Sequence, residues 1–192
     1  MPLCDVLLKV MRLSLGRVNN PCVMKQPLFS VVPLSNNHVR EGFCSGSEAL
    51  DHYFSAQVGQ DIRRNITRCF VATDNSSHKI AGYYTLSAAQ IPLPGLPVEI
   101  ARKMPRYDAV PASRIGRLAV DRLYQGKRIG SALIADALLR SSTSSLAVYA
   151  LLVDAKDEQA EAFYLYHGFI PCIGASQTLF LPLKTISKIS FS

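Results

Sequence analysis

The stretch from Arg114 to Arg140, "RIGRLAVDRLYQGKRIGSALIADALLR", limits the fold more than any other part of the chain. "RIGRLAV" is apolar and β-branched enough for a strand. Gly126 and Gly130 then crowd together with Lys127 and Arg128, and from Ile129 onward Leu133, Ile134, Ala137 and Leu138 fall on one helical face. "LAVYALLVD" follows as a near-continuous apolar run, the pattern of a strand buried on both faces. Strand, glycine loop, helix and strand in direct succession form a crossover, which needs a sheet with helices packed on it. With 192 residues there is enough chain for one good core and too little for two ordinary domains.

The flanking segments agree with an α/β (α+β) sheet domain. "SGSEALDHYFSAQV" holds a capping box, Ser45 with Glu48, and then Leu50, Phe54 and Val58 at helical spacing, which predicts a helix over 46–64. "RCFVATD" and "KIAGYYTLSAAQI" flank the polar turn "NSSH" and read as an antiparallel hairpin. Pro92, Pro94, Pro97, Pro105 and Pro111 break up residues 92–112, leaving room for a short helix near Glu99 to Lys103. "KDEQAEAFYLYHGF" is helical, with acids in its first turn and Gly168 placed to end it, and "QTLFLPL" suits a last strand. Residues 1–24 lack periodicity and read as a flexible arm, or as an over-long start with the working one at Met24. The domain then covers 25–185 and a tail 186–192.

Several chemistries are disfavoured. Cys4, Cys22, Cys44, Cys69 and Cys172 are odd in number and scattered, so buried free thiols are expected. His38, His52, His78 and His167 give no zinc spacing, so no metal is expected. No stretch is long and apolar enough for a membrane span, and Asp5, Lys9 and Arg12 interrupt what would be the apolar part of a signal peptide. A cytoplasmic protein without a membrane partner is expected. Most of the net charge of +7 lies between residues 102 and 128, where eight bases (Arg102, Lys103, Arg106, Arg114, Arg117, Arg122, Lys127, Arg128) face two acids, Asp108 and Asp121. Such clustering concentrates polyanions, a nucleotide cofactor or a nucleic acid alike.

The glycine loop has a chemistry of its own. The first amides of a helix have no intrahelical partner and, with the helix dipole, make an anion site. Glycines let the backbone approach a bulky phosphate, and Lys127 and Arg128 add charge, so residues 125–131 suit a pyrophosphate. The loop has neither the P-loop pattern nor the dinucleotide-binding one.

"RLAVDRLYQGKRIGSALI" resembles the acetyl-CoA-binding motif of the GNAT N-acetyltransferases, a strand running into a loop of pattern [RQ]-x-x-G-x-[GA]. Gln125 takes the first place and Gly130 the last, while Arg128 stands where the family usually has its middle glycine. "DEQAEAFYLYHGFIP" resembles the second signature, F-Y-x-x-x-G-F, matched by Phe163, Tyr164, Gly168 and Phe169. The resemblance implies a GNAT-like mixed, twisted sheet with helices on both faces. It also implies that Leu118, Ala119 and Val120 pair with the pantetheine arm and that amides of Gln125, Gly126, Lys127, Arg128, Ile129, Gly130 and Ser131 hold the pyrophosphate. Tyr164 would then lie near the thioester sulfur, where a phenol can protonate the departing thiolate as general acid. Tyr166 is the competing tyrosine.

Over about residues 27–183, "GFCSGSEALDHYF", "RCFVATD", "AGYYTLSAAQ" and "RKMPRYDAVPASRIGRLAVD" together with the C-terminal signature look like the acetyltransferase toxins of bacterial toxin–antitoxin pairs. The resemblance implies an aminoacyl-tRNA substrate acetylated on its α-amine, a ribbon-helix-helix antitoxin and a homodimer. An α-amine is roughly a quarter neutral at about pH 7.4 and needs little help from a base. No compelling base is visible, since the acids from Asp154 to Glu161 start a helix and His167 caps its end. Arg102, Lys103, Arg106 and Arg114 are the residues expected to grip tRNA phosphates, with Arg40, Arg63, Arg64 and Arg68 as a possible extension. Two other uses remain open for the same chain: acetylation of a small amine or a protein, and non-catalytic binding of acyl-CoA or nucleic acid.

Overall fold

The computed structural model describes residues 27–184; the expected arm at 1–24 and tail at 186–192 lie outside the described residues. Seven strands form one mixed sheet: β1 (Phe29–Pro33), β2 (Arg68–Asp74), β3 (Ile80–Pro92), β4 (Ala109–Val120), β5 (Ala150–Asp154), β6 (Ile170–Pro171) and β7 (Thr178–Pro182), hydrogen-bonded in the order β1-β2-β3-β4-β5-β7-β6. β4 and β5 are parallel across the expected crossover, whereas β1 with β2, β5 with β7 and β6 with β7 are antiparallel. The helices are α1 (Glu48–His52), a π-helical turn (Tyr53–Gln57), α2 (Val58–Arg63), α3 (Val98–Ala101), α4 (Ile129–Ser142) and α5 (Glu158–Tyr166).

The described residues fall into two compact units, 27–85 with 117–136 and 86–116 with 137–184. In the first, Tyr53, Phe54, Val58, Cys69, Val71, Ile80, Tyr83 and Ala119 make the core, with Leu50 packed against it. The stripe Leu50, Phe54, Val58 is therefore the core face of the helical stretch, as its spacing predicts. Two details of that stretch differ from expectation. The capping box does not form, because helix α1 starts after Ser47 and the Ser45 hydroxyl donates instead to Asp51 Oδ1 at 2.6 Å. The helix also widens at Tyr53, whose carbonyl accepts from the Val58 N–H, and Arg40 Nη1 donates to the Phe54 carbonyl at 2.8 Å. One of the bases considered for RNA thus supports a π-turn, a feature that often marks functional sites.

On the other side of β3, the Tyr84 hydroxyl donates to Asp136 Oδ2 of α4 at 2.7 Å. Just before the two tyrosines Gly82 lets α4 approach, for a Cβ there would meet the Ala119 carbonyl oxygen at 2.9 Å and Leu133 Cδ1 at 3.1 Å. β2 and β3 are neighbours across a short turn closed by the Asp74 N–H to the Lys79 carbonyl, 2.9 Å.

The core of the second unit is Ile91, Leu96, Val110, Ala112, Ala150, Leu152 and Phe180. Here strands reach further into the proline-rich region than expected: β3 ends on Pro92 and β4 already begins at Ala109. Pro111 has no N–H to give, yet its carbonyl accepts from Tyr149 at 2.9 Å, so the strand loses only the donor half of that residue. Among the described residues Cys44, Cys69 and Cys172 are free thiols, but Cys44 is exposed rather than buried. No group of side chains among the described residues could hold a metal ion, and no described helix is long and apolar enough to cross a membrane.

Candidate active site

The glycine loop lies wholly in the first unit. β4 runs into Asp121, a 6% exposed carboxylate that does two jobs: Oδ1 accepts from the Leu123 amide and Oδ2 from the Cys44 amide, both at 2.9 Å. Gln125, first residue of the loop motif, turns its side-chain amide back onto the Val120 carbonyl at 3.1 Å and the Ser45 carbonyl at 3.0 Å. Its side chain shapes the loop. Sequence reasoning missed Asp121 as an anchor, since only the fold brings residue 44 beside it.

Beyond these anchors the loop backbone is open. Lys127 donates to the Tyr124 carbonyl and Ala132 to that of Arg128, but the amides of Gln125, Gly126, Arg128, Ile129 and Gly130 donate to no atom of the described residues. Gly126 has φ +75° and Arg128 φ +61°, the left-handed conformation in which successive amides turn toward one concavity. The departure from the family pattern thereby gains a physical meaning: Arg128 occupies a glycine-favouring conformation and carries a guanidinium at the loop's rim, where it is exposed. Lys127 Nζ sits 4.9 Å from the centre of the Tyr124 ring, whose hydroxyl donates to Asp74. Free amides, the N-terminus of a 14-residue helix and two exposed cations fit a pyrophosphate.

The parallel ladder of β4 with β5 ends at Ile115↔Val153, and β4 continues through Leu118, Ala119 and Val120. Ala119 packs into the core, while Leu118 and Val120 are half-buried.

The strain at Arg128 can be read directly. Arg128→Gly is expected to be more stable than Arg128→Ala by about 1 kcal/mol, because both lose the charge and only glycine relieves the left-handed backbone. Thermal melts of the two variants decide it, and equal melting would mean that the loop is not held in this conformation.

Tyr164 lies in the second unit, on α5. Asp157 caps that helix by accepting from the Ala160 amide at 2.7 Å, and Gly168 at φ +83° ends it, with the Phe169 N–H returning to the Tyr164 carbonyl. The signature residues are thus brought together by a helix and its C-terminal turn. The Tyr164 ring is 7% exposed and packs against Phe163 and Phe169 at 5.4 and 5.3 Å between ring centres. Its hydroxyl makes no hydrogen bond among the described residues. Burial first, and the Asp154 carboxylate second, push the phenol up to about 12, so it stays protonated at any physiological pH. Tyr166, by contrast, is 64% exposed. His167 is buried, with Nδ1 2.7 Å from the Phe163 carbonyl, and burial lowers its pKa, which makes it a neutral packed histidine.

The basic residues separate into two groups. Arg102, Lys103 and Arg106 follow α3 on an exposed segment and form no ion pair among the described residues. Arg114 differs from them in being ion-paired. It sits within β4, where Nη1 meets Asp154 Oδ2 at 3.3 Å and Nε is buried with no partner among the described residues. Asp154 in turn accepts from the Thr178 hydroxyl at 2.9 Å, and it ends β5 instead of starting a helix. The three groups tie the middle of β4 to the end of β5 and the start of β7.

Comparison with known proteins adds the family. A model described as an acetyltransferase (GNAT) domain matches residues 65–171. A tRNA-acetylating toxin of Mycobacterium tuberculosis is 34% identical over 129 residues, covering 66% of this chain and 75% of its own. The structure of AtaT complexed with acetyl-methionyl-tRNAfMet superposes with a TM-score of 0.78 at 30% identity, over 84% of this chain and 99% of that one. A tyrosine-to-phenylalanine variant of AtaT bound to the C-terminus of the antitoxin AtaR and acetyl-CoA gives 0.71 at 26% identity, over 86% and 100%. A motif of free amides, a protonated buried tyrosine and a family match over more than half of the chain lead to one conclusion: the chain belongs to the GNAT acetyltransferase family.

Proposed function

We propose that this acetyltransferase is a toxin that moves the acetyl group of acetyl-CoA to the α-amine of the amino acid carried on charged tRNA, stopping translation until an antitoxin binds it. The observation that carries the reading is the likeness, over two thirds of the chain, to a protein that acetylates tRNA. The geometry supports it. The open amides of Gln125, Gly126, Arg128, Ile129 and Gly130 take the pyrophosphate of the donor, the backbone of Leu118 to Val120 takes its pantetheine arm, and Ser131 lies in the first turn of α4 beside them. Tyr164 holds a proton on Oη for the sulfur that leaves as the new amide bond forms. Arg102, Lys103 and Arg106 grip phosphates of the RNA, whereas Arg114 clamps Asp154. Charged tRNA places the work in the cytoplasm. A ribbon-helix-helix antitoxin and a homodimer complete the proposal.

The direct test incubates the protein with labelled acetyl-CoA and total charged tRNA, with uncharged tRNA and free amino acids as controls. Label on charged tRNA alone, released by mild base as N-acetyl-amino acid, is the expected result. Label on free amines or on protein would replace this reading with another acceptor, and acetyl-CoA binding without any transfer would make the chain a binder.

The exposed bases allow a second test. Replacing Arg102, Lys103 and Arg106 together by Gln is expected to leave the fold intact and flatten the plot of log affinity for tRNA against log salt by about 2 to 3, at roughly 0.7 to 0.9 for each of the phosphates lost. An unchanged slope would remove these three side chains from the RNA surface.

A further inference from the structure

One cation on the sheet is placed like a recognition group and makes no ion pair among the described residues. Arg117 extends from β4 and its guanidinium carbon lies 3.5 Å from the centre of the Tyr53 ring. That ring is fixed: Tyr53 is 2% exposed and its hydroxyl donates to Asp61 Oδ2 at 2.9 Å, so Asp61 is occupied by the tyrosine. The strand is fixed too, since the Arg117 N–H donates to the hydroxyl of buried Thr85 at 3.0 Å. Yet no carboxylate or carbonyl among the described residues accepts from the guanidinium, and the residue is half-buried. A guanidinium whose carbon lies over a ring centre spends its π face there and has its fork of N–H donors left for an anion of matching shape. A half-dry cation left without one is costly.

We propose that Arg117 is a specificity-determining residue that contacts a phosphodiester near the 3′ end of the RNA substrate. The inference rests on the reading of charged tRNA as acceptor. In that substrate the α-carboxyl is esterified and uncharged, so the anion nearest the reacting amine is a backbone phosphate. Arg117 also directly precedes Leu118 to Val120, the segment assigned to the acetyl donor, so an RNA end held there is held beside the strand that carries the acetyl group. The π-turn explains how the ring comes to be available: widening at Tyr53 places this residue and Phe54 both in the buried layer.

The experiment compares wild type with Arg117→Gln and Arg117→Lys in two assays. The first is binding of uncharged tRNA against salt, which needs no acetyl transfer. Arg117→Gln should flatten the log–log slope by about 0.7 to 0.9, one phosphate, while Arg117→Lys keeps the slope. The second is kcat/KM on charged tRNA and on an aminoacyl-adenosine, which has the ester and amine without the phosphodiester. Arg117→Gln should lose about tenfold to a hundredfold on charged tRNA and little on aminoacyl-adenosine. Equal loss on both substrates, or an unchanged salt slope, overturns the proposal and leaves Arg117 a packing residue; a variant that loses only antitoxin neutralisation does the same and assigns it to an acidic peptide. Should the wild type acetylate neither substrate, the reading of the acceptor fails and the binding slope alone decides Arg117.

Discussion

Tyr164→Phe is expected to lower kcat by about a hundredfold to ten-thousandfold while acetyl-CoA affinity stays at the wild-type value. The variant is clean because the hydroxyl makes no hydrogen bond among the described residues, so removing it orphans no partner, and the ring keeps its contacts with Phe163 and Phe169. What is lost is a proton at the point where sulfur departs. A phenol raised to about 12 by burial is a weak acid, so it gives up its proton only as negative charge builds on sulfur and regains one from the ammonium of the attacking amine. The pH profile follows from the sign of that shift. Activity should rise as the α-amine deprotonates near about 8, and it should show no falling limb from Tyr164 below about 10, because the group stays protonated there. Tyr166→Phe is the control, exposed and expected to be silent. Rapid-quench measurement of acetyl transfer decides the matter: wild-type rates in Tyr164→Phe would take the acid role from this residue.

The parts of the site that were legible in the sequence are those whose chemistry is local. A strand that turns through glycines into a helix announces open amides whatever surrounds it, and the α5 signature carries its own acidic first turn and its own stop, Gly168. Side chains whose meaning depends on distant neighbours were not legible. Counting charges groups Arg114 with Arg102, Lys103 and Arg106, but only the β4–β5 register, which sets Arg114 opposite Leu152 and two residues from Asp154, shows that it is spent on an ion pair. The same count includes Arg117 and does not reveal that it lies over the Tyr53 ring with no ion pair among the described residues. Prolines misled in a different way: they forbid a donated hydrogen bond and not an extended backbone, so Pro92 and Pro111 could stand in strands where a broken loop was expected.

Gly82→Ala is expected to damage both stability and donor binding. The glycine is unremarkable in "AGYYTLS", with an ordinary backbone conformation, and its necessity comes entirely from what packs on it. A Cβ would stand 2.9 Å from the Ala119 carbonyl oxygen, 3.1 Å from Leu133 Cδ1 and 3.2 Å from Ile129 Cγ2. The first of these is backbone of β4 and cannot rotate away. Ile129 is the first residue of α4, so relief requires that end of the helix to lift off the strand, and with it the amides from Gln125 to Gly130. Overpacking of this kind costs about 1–3 kcal/mol, which for a chain of this size lowers Tm by roughly 2–4 °C per kcal/mol. Gly126→Ala separates the two effects: a Cβ there meets nothing within 4 Å, so only the left-handed backbone at φ +75° is strained. That variant should lose about 1 kcal/mol without moving the helix. Melting curves and acetyl-CoA titrations of the pair test the claim. If Gly82→Ala binds the donor as tightly as wild type, helix α4 tolerates displacement and the anion site does not depend on how closely it seats on β3.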